Sequence, residues 1–205
     1  MELAKSYSHV LSEEGKFDFW KDNGYFDCDV NSSKKPFSMI VPPPNVTGHL
    51  HIGHALNTSI LDIISRYKKL MGYDVEFTPG TDHAGIATQA KVEALIKKDG
   101  IDKYKIGREE FLKIVWKFKE DSASYIHDQW KCLGIGMDYK RERFTLDEKT
   151  DEAVKRVFKE LYDEGLIYQG ERIINWDPIL QTALSNIEVN HKDIEGKFYY
   201  FRYHL

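Results

Sequence analysis

Cysteine is scarce in this chain. There are two in 205 residues, Cys28 and Cys132, with no CxxC pair and no metal-type spacing. The pattern argues against a disulfide framework and for free thiols in a reducing compartment. No stretch approaches the roughly 18 consecutive apolar residues of a membrane-spanning helix. The opening MELAKSYSHV lacks the apolar segment of a secretory signal. An excess of one charge is missing too: 29 Lys and Arg stand against 33 Asp and Glu, a net charge of −4. Nucleic-acid domains usually show a basic excess, so any such contact must come from local patches or from regions outside these residues. Repeats and low-complexity tracts are also absent. What is present, 41% hydrophobic, 13% aromatic and 30% charged residues, suits a packed core under a soluble surface. The length allows one large domain, or one and part of a second. A cytoplasmic enzyme without a membrane partner is the default expectation.

Proline is also sparing, six in all, yet three stand together in Pro42 to His54, PPPNVTGHLHIGH. This stretch joins an apolar strand, Phe37 to Val41, to an amphipathic helix. The helix is expected to bury Leu56, Ile60, Ile63, Ile64, Tyr67 and Leu70, spaced three or four apart. A helix start carries unpaired N–H groups and partial positive charge, which suits phosphate. Gly53 lets a base or phosphate approach the backbone. His51 and His54, three apart, share one helix face and can donate to one polyanion. The alternative is a proline-rich turn with chance histidines, which the strand–helix–strand setting disfavours.

Ser12 caps a short helix through Phe17, Phe19 and Trp20, ending near Gly24. Asp27 to Lys35 is a turn-like linker. After the helix at 52–71, stopped by Gly72, Tyr73 to Phe77 is a second strand. Together these form a βαβ unit with parallel strands and a right-handed crossover. Gly80 to Gly85 is a loop, followed by a helix at 86–98 whose alanines allow close packing. A long helix at 108–133 presents Phe111, Val115, Phe118, Ser122, Tyr125, Gln129 and Leu133 on one face. Thr145-Leu146-Asp147-Glu148 has the form of a capping box, opening a helix that closes at Gly165. Leu166 to Tyr168, Arg172 to Trp176 and KFYYFRYHL at 197–205 read as strands.

Three segments then carry a resemblance. His51-Ile52-Gly53-His54 resembles the H-x-G-H signature of class I aminoacyl-tRNA synthetases. The second segment is Gly80-Thr81-Asp82-His83-Ala84-Gly85-Ile86-Ala87-Thr88-Gln89. A carboxylate at a strand end, Asp82, can bind a substrate ammonium, or it can merely cap the next helix. Paired with PPPNVTG, this segment is similar to the valyl branch of the family. The isoleucyl branch typically shows GWDxHGLP and a PPYANG-like first motif. The third segment, Arg172-Ile173-Ile174-Asn175-Trp176-Asp177-Pro178 with Ala183-Leu184-Ser185 and Glu188-Val189, is similar to the valyl NWxP stretch. Some valyl members carry a CPxC zinc-type pair there. This chain has Asp177 and Gln181, so no zinc or other metal site is expected, and Trp176 is read as core packing. The resemblance runs from about Leu3 to Leu205.

The resemblance implies an α/β fold: the N-terminal half of a Rossmann-like (HUP-type) parallel-sheet catalytic domain with a helical insertion, ending in the first strand of a β-rich editing domain. Residues 1–35 would be a helical extension, 36–190 the half-domain, and 191–205 the start of the editing insertion. It further implies activation of L-valine by ATP with Mg²⁺, both as substrates, and transfer to the cognate valine tRNA. No tightly bound cofactor is expected, and the full-length enzyme is expected to be a monomer in the cytoplasm. His51 and His54 would be catalytic. Thr47, Gly48, His51, Gly53, His54 and His83 would line ATP, and Pro43, Asn45 and Asp82 would hold valine. The KMSKS-type loop, the second half of the nucleotide fold and the anticodon-binding helices are missing from these residues. The chain therefore reads as an N-terminal fragment, inactive alone, with apolar faces and a sheet edge left uncovered. The competing readings are a truncated synthetase-like module that binds nucleotide, RNA or protein without catalysis, and a compact nucleotidyltransferase, which would not show NWDP at 175–178.

Overall fold

The computed structural model describes residues 6–204. Its centre is a parallel strand–helix–strand unit, as the strand, helix and strand read in residues 37–77 predict. Strand β1 (Pro36–Ile40) pairs in parallel with β2 (Asp74–Thr78), Phe37 opposite Val75 and Met39 opposite Phe77. Helix α3 (Ile52–Leu70) connects them. Ahead of this unit lie two short helices, α1 (His9–Glu13) and α2 (Lys16–Asp22). Ser12 lies inside α1, and Gly15, not Ser12, precedes α2.

Strand β2 continues through Pro79 into β3 (Gly80–Thr81), which pairs in parallel with β4 (Arg143–Phe144). Carbonyls along this trace alternate in direction. Thr78 accepts from Val41, while Phe77 and Pro79 accept from Asp138 and Arg143. The β2–β3 trace thus runs between β1 on one edge and residues 138–145 on the other.

Between β3 and β4 the chain leaves the sheet as α4 (Gly85–Lys98) and α5 (Lys103–Cys132). Helix α5 starts earlier than the 108–133 expected, because Asp102 caps it. It is broken at Gly107, whose φ of 81° is the left-handed conformation that glycine takes without penalty. The two helices share a core of Val92, Ile96 and Phe111. The main core is separate: Val41, Phe77, Ile126, Trp130, Ile135 and Met137. Of the face expected on α5, Phe111 and Ser122 are buried, but Ile126 and Trp130 do the deep packing, and Tyr125 and Leu133 are exposed.

Several expectations are corrected. The apolar stripe of α3 points outward: Leu56 is 63% exposed, Ile63 65% and Leu70 88%. Thr58, Asp62 and Ser65 are buried instead. Small and hydrogen-bonded residues let the helix sit close to its neighbours, and Asp62 ties down the turn after α5. It accepts from Gly136 N–H at 2.8 Å and from Arg66 at 2.7 Å. Helix α6 (Glu148–Asp163) is capped by Asp147, which accepts from Thr150 N–H at 2.8 Å, so Thr145 is not its cap.

Beyond α6 the only strands among the described residues are β5 (Asn175–Asp177) and β6 (Thr182–Leu184), an antiparallel pair. Residues 166–168, 172–174 and 197–204 form no strand, despite strand-prone side chains, because no second backbone edge lies alongside to complete a ladder. Leu205 and Leu3 fall outside the described residues. Trp176 is 55% exposed and is not a core residue.

Candidate active site

Two loops that are far apart in sequence are stitched together by their backbones. Pro42 to Pro44 offer no N–H, so the β1 ladder stops there. The chain resumes pairing one step later. Asp82 N–H donates to Pro44 O at 2.8 Å and Val46 N–H to Asp82 O at 2.9 Å, forming a parallel bridge at Asn45 and Asp82. Pro44 and Val46 are buried, leaving Pro43 and Asn45 exposed. The Asp82 carboxylate accepts from Ala84 N–H at 3.2 Å and Thr145 Oγ1 at 3.1 Å, both through Oδ1. Lys91 of α4 donates to Thr47 O, which places an ammonium against Thr47 and Gly48. No local pattern in the sequence pairs Lys91 with that loop.

At the start of α3 the two histidines cap each other's turn. His51 Nδ1 accepts from Gly53 N–H at 3.0 Å, and His54 Nδ1 accepts from His51 N–H at 3.3 Å. The ring centroids are 3.9 Å apart. With each Nδ1 lone pair engaged, the proton of each neutral ring sits on Nε2. The pair therefore presents two Nε2–H donors. Burial, and secondly the nearby His51, hold His54 below the ordinary imidazole value of 6.5, so it favours the neutral form. Gly53 serves this geometry directly. A Cβ there would lie 2.9 Å from His51 Cε1 and would push the ring off its cap. Just upstream, Gln129 of α5 accepts Leu50 N–H at 2.7 Å and donates to Leu50 O at 3.1 Å.

His51, Gly53 and His54 line a cleft of about 240 Å³ with Pro42, Asn57 and Trp130. This is below the ~300–1,000 Å³ of typical ligand pockets, so it has room for only part of a ligand of that size. Asn57, one turn after His54 on the same helix face, was readable from i,i+3 spacing. Trp130 arrives from α5 with no sequence signal. Its indole Nε1 is buried with no partner among the described residues. Pro43, Asn45, Thr47, Gly48 and Asp82 lie along the stitched loops and not in the cleft wall. His83 lines a neighbouring pocket of about 80 Å³ with Val46, Trp116 and Phe144.

A larger cavity, about 520 Å³, lies between α2 and the end of α5. Its charges are largely paired within its own wall, Lys131 with Asp18 and Lys140 with Asp27, and His127 Nε2 meets the Glu142 carboxylate at 2.7 Å. Groups already neutralised by one another leave little for a ligand, so the cleft at α3 is the better candidate. Among the described residues no group of three or more His, Cys, Asp or Glu could hold a metal ion. Asp177, at the position of interest for zinc, instead accepts from Ile179 and Leu180 N–H in a turn. Both cysteines are free, and among the described residues no helix is long and apolar enough to cross a membrane.

The model of the family "tRNA synthetases class I (I, L, M and V)" matches residues 15–201. The chain is 54% identical over 203 residues to a valine--tRNA ligase of Staphylococcus carnosus, and 54% identical over 201 residues to one of Oceanobacillus iheyensis. These alignments take in 99% and 98% of this chain but 23% of each relative, so the chain spans under a quarter of their length. Among solved structures it is similar to the LeuRS of a LeuRS–tRNA–LeuAMS ternary complex from Agrobacterium radiobacter. There the TM-score is 0.71 at 29% identity, covering 87% of this chain and 21% of that one.

Proposed function

The chain belongs to the class I tRNA synthetases of the I, L, M and V group, and on that footing we propose that it carries one wall of the adenylation site of a valine--tRNA ligase. In this reading the valine carboxylate attacks the α-phosphorus of ATP, which enters with Mg²⁺. Valyl-adenylate forms and pyrophosphate leaves. The terminal ribose hydroxyl of tRNA then attacks the mixed anhydride, taking the valyl group and releasing AMP. The task is positioning and neutralising developing phosphate charge. His51 and His54 donate their Nε2–H groups to the phosphates, and Gly53 faces the adenine. Thr47 and Gly48 line the same ATP wall. Asp82 accepts the valine ammonium through Oδ2, with Asn45 and Pro43 beside it.

The observation that carries this reading is the pair of imidazoles at the α3 start, both held with their donors outward, on a loop bonded to Asp82. Identity of 54% to valine--tRNA ligases supports valine as the amino acid. The test is L-valine-dependent ATP–pyrophosphate exchange, run on this chain and on one extended to the length of its relatives. Exchange in the longer protein, and little or none in this chain, is expected. A longer protein without valine-dependent exchange would overturn the reading.

One observation favours a second reading, a non-catalytic binding module: the outward apolar stripe of α3 is a surface built to be covered. A longer protein inactive in exchange, together with a short chain that captures a macromolecule through that stripe, would support it.

A further inference from the structure

Thr145 meets three groups of the Asp82 loop at once, on two consecutive residues. Its Oγ1 lies 3.1 Å from Asp82 Oδ1, 2.9 Å from the His83 backbone nitrogen and 2.5 Å from His83 Nδ1. A hydroxyl has one proton and two lone pairs. The carboxylate can only accept, so it takes the proton. The backbone N–H can only donate, so it takes one lone pair. The remaining lone pair faces His83 Nδ1, which must then carry a proton. A neutral ring protonated at Nδ1 has a bare Nε2. His83 is thus opposite in sense to His51 and His54: it presents an acceptor, where they present donors. Asp82 is constrained in the same way. Among the described residues its contacts, from Ala84, Thr145 and the His83 ring at 3.3 Å, all fall on Oδ1, which leaves Oδ2 open to a ligand.

We propose that Thr145 is a positioning residue of this site, locking His83 as the Nδ1–H tautomer so that Asp82 Oδ2 and His83 Nε2 stand as open acceptors on consecutive residues. The ligand class that this suits is a primary ammonium, which has three N–H donors to share. A phosphate is an acceptor and finds no donor on a neutral His83, so His83 moves out of the ATP-lining set and into the amino-group set. The identity of the amine as valine rests on the function proposed above, whereas the tautomer does not. Thr145 sits 63 residues from Asp82, and its place before α6 gives it the look of a helix cap. The sequence therefore offers no hint of the contact.

The test is ¹⁵N NMR of the histidine-labelled chain at pH about 8, where ordinary imidazoles are neutral. The protonated ring nitrogen resonates far upfield of the bare one, so each tautomer is read directly. His83 is expected as Nδ1–H, beside His51 and His54 as Nε2–H. Thr145→Val should move His83 toward the Nε2–H form that free side chains prefer, and Thr145→Ser should restore it. A wild-type His83 already in the Nε2–H form overturns the proposal. So does a Thr145→Val protein unchanged at His83 while Asp82→Asn shifts it, since Asp82 would then hold the ring alone. If Thr145→Val does not fold, the wild-type tautomer and the serine variant still decide. Millimolar L-valine added to the wild-type chain separates the two claims. A shift at the His83 ring nitrogens supports the amine assignment. Silence there sinks valine as ligand of this chain while leaving the tautomer lock standing.

Discussion

Gln129 closes its side-chain amide on a single residue, accepting the Leu50 N–H at 2.7 Å and donating to the Leu50 carbonyl at 3.1 Å. The clamp holds the backbone one residue before His51, so a helix far along the chain sets where the first imidazole begins. Gln129→Ala would leave a part-buried donor and acceptor unpaired, at a cost of about 1–3 kcal/mol. Amide hydrogen exchange at Leu50 should then rise sharply while the circular dichroism stays near wild type. A Leu50 amide that already exchanges freely in the wild type would rule the clamp out.

His54 gives a pH dependence with a definite sign. Burial first, and His51 second, keep its folded pKa below the ordinary 6.5. The folded state therefore binds fewer protons than the unfolded one. The stability contribution is present above the unfolded value and is lost as pH falls through the folded value. Protonation also puts a hydrogen on Nδ1, which can no longer accept from His51 N–H, so the first turn of α3 should fray in acid. A histidine NMR titration should place the His54 midpoint under 6.5. A midpoint above it would mean that burial does not govern this ring.

In the protein extended to its relatives' length, His54→Ala and Asp82→Asn should separate. Loss of one preorganised donor at developing phosphate charge typically costs about 100-fold or more in rate. His54→Ala should therefore slow adenylate formation on that scale and leave valine affinity nearly unchanged. Asp82→Asn should raise the valine dissociation constant instead. Near-normal exchange by the first variant, or unchanged calorimetric affinity in the second, would remove the residue from its assigned role.

The outward stripe of α3 predicts self-association of this chain. Leu56, Ile60, Ile63, Tyr67 and Leu70 are each at least half exposed and lie on one helix face, and contiguous apolar patches of this kind promote association. Sedimentation should show concentration-dependent oligomers, and Ile63→Lys with Leu56→Lys should reduce them. A wild-type chain that stays monomeric at high concentration would show that the stripe is tolerated in water.

How much could be read in advance follows from what each signal measures. The β1–α3–β2 unit was legible because strand-forming runs and helical period are local. The same period on α3 misled about direction: a repeating apolar face records that something covers it, not that the core of these residues does. Thr145 looked like a cap because its spacing to Glu148 fits one, yet Asp147 offered a carboxylate two residues later and took the role. The aromatic run at 198–203 has strand-prone side chains, but a strand is made by a neighbouring edge, and none lies beside it among the described residues. Trp130 and Lys91 reach the site region through helix packing, and no spacing along the chain announces that.

Helices α4 and α5 leave the sheet after Thr81 and return it at Arg143, carrying a private core of Val92, Ile96 and Phe111. Because the outer part of that excursion is supported by this core, its length and surface can change there without disturbing the strands that hold Asp82. Selection can then rework that outer part as exchangeable, while Lys91, Gln129, Trp130 and Thr145, the points where the excursion touches or rejoins the site, stay under joint constraint. Substitutions should accordingly be interdependent at those joints and independent along the excursion's outer side.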